Sequence, residues 1–141
     1  ALLRHLERFP TVENGLNRLQ TAILRILVDR ATNFVGLFKK LSATEHPAFF
    51  GDSYVADEVR RLCLAATPAL GVRNPRSPWG EWEMEITDVG QELLGGARDW
   101  VRGNGVDRWL GGVHLSGHTG VWRWDTDARR LAAPPESRAI G

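Results

Sequence analysis

The side chains best suited to chemistry fall in two strings, Asp107-Arg-Trp-Leu-Gly-Gly-Val-His-Leu115 and Trp122-Arg-Trp-Asp125. Arg108 and Arg123 are planar guanidiniums able to grip a carboxylate or phosphate through two parallel hydrogen bonds. His114 titrates nearest neutral pH, so it suits acid–base work once a neighbour tunes it. The sequence names no such neighbour. Trp122 and Trp124 stand two residues apart, on one face of an expected strand. There they serve either as core or as a platform for a base, a sugar ring or a peptide. Core is the preferred reading, with Trp100, Trp109, Trp122 and Trp124 fastening a hairpin to helices. A ligand or anion site would draw on Arg108, His114, Arg123, Asp125, Trp122 and Trp124.

Other chemistries find less support. His114 and His118, with Asp125, form the one grouping that hints at a metal. Four-residue spacing fits a helix better than a strand and turn, and zinc needs three or four converging ligands. No metal and no cofactor is expected. Cys63 lies on the apolar stripe of a helix, where a cysteine acts as a small core residue. There is no Gly-x-Ser-x-Gly elbow and no Gly-x-x-x-x-Gly-Lys phosphate loop. No catalytic residue is assigned, and the segment is expected not to be an enzyme.

Nucleic acid is a separate question. Arg60, Arg61, Arg73 and Arg76 would be its contacts. Phosphate contacts dominate such affinity, so the surface should be basic. Instead, the expected third helix carries Asp52, Asp57 and Glu58 against Arg60 and Arg61. Glu81, Glu83 and Glu85 line one face of the following strand. These carboxylates disfavour the usual docking.

The elements that must position these residues are legible from periodicity. A leading helix is expected within residues 1–10, with Leu2, Leu3, Leu6 and Phe9 on one face before Pro10. Leu16 to Arg30 forms a long amphipathic helix. Asn33 caps a second over Phe34–Ala43, with Phe34, Val35, Leu37, Phe38 and Leu41 inward. Asp52 or Ser53 caps a third to about Ala65, burying Val55, Val59, Leu62 and Cys63. After Pro68 the period changes. Ala69–Arg73 is a short strand, and Trp82, Met84 and Ile86 alternate with Glu81, Glu83 and Glu85 as a half-buried strand. Thr87 or Asp88 caps a short helix ended by Gly95-Gly96. Asp99–Arg102 is a helical turn. Gly111–Leu115 and Val121–Asp125 are expected to pair around Ser116–Gly120.

This order predicts an α+β fold: a winged-helix-like three-helix bundle with a small antiparallel sheet, plus a C-terminal Trp-rich β-hairpin. The sheet's first strand is expected as a bridge near Ala48–Gly51. The domain layout is 1–97 for the winged-helix-like part, 98–125 for the hairpin packed on it, and 126–141 for an irregular tail. The 141 residues, net charge of +1 and single cysteine fit a small globular chain without an internal disulfide. No run is long and apolar enough for a membrane span, no signal peptide is visible, and a cytoplasmic setting is expected.

Three blocks resemble a bacterial protein family without an assigned activity: Glu13-Asn-Gly-Leu-Asn-Arg-Leu-Gln20; Ile86-Thr-Asp-Val-Gly90 with Leu93-Leu-Gly95 and Asp99-Trp-Val101; and the two Trp-rich strings above. The resemblance implies a separate α/β domain preceding Ala1 and carries over no catalytic residue. A non-catalytic protein-interaction or scaffolding module is the expected function. Its partner would be that domain, another protein or a second copy of the chain. The alternatives are sequence-specific DNA binding in transcriptional regulation, or completion of an active site on the preceding domain.

Overall fold

A computed structural model describes residues 5–44, 52–110 and 112–133. The fold is mixed helix and sheet, and the chain divides into two compact units. One is Leu19–Leu94; the other joins Ala1–Arg18 to Gly95–Gly141.

In the central unit, α1 (Arg18–Asp29) buries Leu19, Ile23, Leu24 and Leu27 at three- and four-residue spacing. The Asn33 side chain accepts from the Gly36 N–H at 2.9 Å and starts α2 (Phe34–Thr44). Leu37 and Leu41 face inward, whereas Val35 is 56% exposed, contrary to expectation. The third helix, α3 (Asp52–Leu64), buries Val55, Val59 and Leu62. Glu58 is also buried, so it adds nothing to the outer face on which it was expected.

The change of period after Pro68 yields β1 (Leu70–Val72) and β2 (Met84–Ile86), antiparallel with Gly71 opposite Glu85. Glu81, Trp82 and Glu83, expected in the same strand, do not join β2. Residues Trp79–Glu81 form a 3-10 turn, entered from Pro78 and closed by the Trp82 N–H on the Trp79 carbonyl. Thr32, between α1 and α2, bridges Met84 through two backbone hydrogen bonds of 3.0 and 2.9 Å. The bridge expected near Ala48–Gly51 lies outside the described residues. Thr87 Oγ1 accepts the Gly90 N–H and donates to the Pro68 carbonyl, capping α4 (Asp88–Leu94).

Gly90 is required there by space. A Cβ would lie 2.5 Å from the Ala69 carbonyl oxygen and 2.6 Å from Ile86 Cγ1. Gly90→Ala should therefore destabilise this unit by about 1–3 kcal/mol, the usual cost of overpacking. Comparing urea midpoints with those of Gln91→Ala, an exposed neighbour, would measure it.

The other unit has its own core: Phe9, Val101, Leu110, Leu115, Val121 and Trp124. Short helix α5 (Trp100–Asn104) precedes β3 (Val106–Leu110), which pairs antiparallel with β4 (Val113–Gly117). β5 (Arg123–Asp125) pairs with β6 (Arg130–Ala132). The single hairpin expected from 111–115 and 121–125 is thus replaced by two. The reason is local. Leu110 pairs directly with Val113, so β4 finds its partner upstream. The tail expected to be irregular supplies β6; residues 134–141 lie outside the described ones. β5 gains a second neighbour from Pro10–Val12. Trp124 N–H donates to the Pro10 carbonyl and Val12 N–H to the Trp124 carbonyl, at 2.8 and 3.1 Å. Of the leading helix, residues 1–4 lie outside the description, and His5 and Leu6 are helical before a turn.

Candidate functional site

The outer face of the β3–β4 hairpin gathers three chemically capable side chains. Alternation along β3 sends Leu110 inward and Asp107 and Trp109 outward. Register places His114 directly opposite Trp109. The two rings stack with centroids 4.6 Å apart and planes 9° apart. His114 Nε2 lies 2.6 Å from Asp107 Oδ1, so its N–H donates to the carboxylate. Asp107 is thus the orienting neighbour that His114 lacked in sequence, set two residues before Trp109. The pair is open to water, so its worth is in orientation, not stability. Trp109 is 68% exposed, although expected in the core.

A second polar node lies on the same unit. Arg123 donates twice to Asp99, from Nη1 to Oδ2 at 2.5 Å and from Nη2 to Oδ1 at 2.9 Å. Its Nη1 also donates to the Thr11 carbonyl at 3.0 Å. Asp99 accepts the Arg102 N–H as well, capping α5. Burial pushes the Asp99 carboxyl up. The Arg123 hydrogen bonds, the Arg102 N–H and both positive charges outweigh it and hold the group below the usual carboxylate range. Gly15, at φ +76°, brings its backbone against Val101 N, where a Cβ would sit 2.9 Å away. That turn is tied by Asn14, which accepts from Thr11 Oγ1 and the Leu16 N–H; its own carbonyl takes the Trp100 N–H. The Glu13-Asn-Gly-Leu-Asn17 string thus anchors the N-terminal segment to α5.

The six residues named for a ligand or anion site are engaged separately. Arg123 is held by Asp99. Asp125 accepts the Ala128 N–H and shapes the β5–β6 turn. Arg108 is half-buried opposite Leu115, and His114 belongs to the Asp107–Trp109 group. Trp124 is buried, as is Trp100, whereas Trp122 is 41% exposed and precedes β5. Trp122 and Trp124 therefore form no shared platform. His118 is not a loose turn residue: its Nδ1–H donates to the Arg102 carbonyl and its ring lies over Gly105. Among the described residues no three His, Cys, Asp or Glu side chains group as metal ligands.

In the central unit the arginines named for DNA divide. Arg73 is claimed by the facing strand, at 2.9 Å from Glu85 and 3.7 Å from Glu83. The Arg60 guanidinium sits 4.2 Å above the Trp79 ring, which also meets Phe34 edge-on. Arg61 and Arg76 are exposed. Burial pushes the Cys63 thiol up to about 11, so it is protonated at neutral pH and a poor nucleophile. No helix among the described residues is long and apolar enough to cross a membrane. Sequence reasoning missed Asp107 and Asp99 as partners. Asp107 precedes Trp109 by two and carried an alternation signal; Asp99 and Arg123, 24 residues apart, carried none. No family model, no curated protein and no solved structure matches the chain.

Proposed function

We propose that the chain is a non-catalytic interaction module on a winged-helix-like frame, working in the bacterial cytoplasm. It contacts a protein through the outer face of the β3–β4 hairpin. The observation that carries this is Trp109, 68% exposed yet held flat against His114. Tryptophans dominate binding hot spots, and a pre-ordered ring loses little further freedom on binding. A photo-crosslinking residue at position 109 should give one discrete protein adduct, with a second copy or a different chain. The same group at Gln91 on α4 should give none. Equal products at both positions, or none at 109, would remove the reading.

DNA binding is the second reading, favoured by one observation. The order α1, Thr32 bridge, α2, α3, β1, β2 supports a winged-helix reading in which Thr32 stands for a minimal first strand. Against it, Glu83 and Glu85 neutralise Arg73 where a wing would meet phosphate. Fluorescence anisotropy with random duplex DNA should show no salt-dependent binding at micromolar protein. Binding that falls steeply with salt would put this reading first.

A further inference from the structure

We infer that the cleft beside Asp99 and Arg123 binds a small ligand bearing one oxyanion group, a phosphate or a carboxylate, with Arg102 as its charge partner. The cleft measures about 640 Å³, within the range of roughly 300–1,000 Å³ usual for small-molecule sites. Its lining combines apolar Val12 and Val121 with the basic residues Arg98, Arg102 and Arg123 and the acidic residues Glu13 and Asp99.

These charges are not equivalent. Asp99 already accepts two bonds from Arg123 and one from the Arg102 N–H, so its charge is matched within the wall. Arg123 spends three of its five donors within the wall, two on Asp99 and one on the Thr11 carbonyl, and its side chain is only 16% exposed. Arg102 differs. Its backbone N–H and carbonyl are tied to Asp99 and His118, which fixes where its side chain starts. Its guanidinium adds to the charges that hold Asp99 ionised, yet among the described residues it makes no side-chain hydrogen bond or close ion pair, and the residue is exposed. An exposed guanidinium rooted at a fixed backbone position beside a ligand-sized cleft suits bidentate capture of an oxyanion. Glu13 on the same wall repels extended polyanions, which confines the ligand to one charged end.

No residue of the Asp107–Trp109–His114 group lines this cleft, so it stands or falls apart from the proposed protein contact. The test is titration of the full chain with inorganic phosphate and, separately, acetate, at constant ionic strength set by chloride, followed by amide NMR. Saturable shifts at Arg102, Thr119 and Gly120 are expected with at least one anion. Their relative strength tells phosphorylated from carboxylated ligands. Arg102→Gln keeps the backbone N–H that Asp99 accepts, and should weaken binding by about tenfold or more, as loss of a charge-assisted hydrogen bond does. No saturable shift with either anion, or unchanged affinity in Arg102→Gln, would overturn the assignment.

Discussion

Trp124→Ala is expected to unfold the discontinuous unit at markedly lower denaturant, with a loss of about 3–5 kcal/mol, the range for a large aromatic removed from a core. Trp124 is only 4% exposed and packs among Phe9, Val101, Leu110, Leu115 and Val121. It sits on the strand held by both β6 and Pro10–Val12, so its loss undermines two backbone pairings at once. Amide exchange gives the local readout. The Val12 and Trp124 N–H groups, bonded to each other's segments, should lose protection together. Gly90 and its surroundings lie in the other unit. Protection kept at Val12 and Trp124 in the variant would contradict the core described here.

The second large effect concerns Asp99 and Arg123, whose side chains are 17% and 16% exposed. Removing either one leaves a largely buried charge without its partner, so Asp99→Ala and Arg123→Ala should each cost about 2–4 kcal/mol. The double variant should cost less than their sum, with a coupling of about 1–3 kcal/mol. Strict additivity would show that the pair contributes nothing beyond its separate contacts. Asp99→Asn isolates the charge, because Asn still caps a helix. The pH dependence follows from the lowered folded-state pKa. The contribution is fully present above the unfolded carboxylate value of about 3.9. It is lost as pH falls through the folded value. Urea midpoints measured down the acid limb should therefore decline in the wild type and flatten in Asp99→Asn.

Much of the central unit was legible because local rules and packing agree there. The stripe Leu19, Ile23, Leu24 and Leu27, the Asn33 cap and the Thr87 cap each act within a few residues, as does the alternation ending at Met84 and Ile86. Glu81 departed from that alternation because Pro78 and Gly80 favour a turn over extended backbone. The Trp-rich half was harder. Residues 106–110 carry no strand expectation and Trp109 reads as core, so the outward alternation of Asp107 and Trp109 goes unread in the sequence. β5 draws a partner from Pro10–Val12, and no periodicity reports a pairing across such a separation. The candidate groups follow the same division. His114 and Arg123 were recognisable by type, but Asp107 reaches His114 across a hairpin the sequence did not announce, since 111–115 was expected to pair with 121–125, and Asp99 reaches Arg123 only through the tertiary fold.

The discontinuity of one unit sets an order of events during synthesis. Residues 19–94 leave the ribosome as a continuous stretch and can complete their own core while the chain is still growing. Residues 5–18 emerge earlier, yet their anchors come last: the Thr11 carbonyl meets Arg123 across 112 positions. Ring closure over that span is entropically slow to find, though its cost grows only logarithmically with length. The nascent N-terminal segment, with Phe9 uncovered in the interval, is the stretch a chaperone or a premature stop codon would encounter.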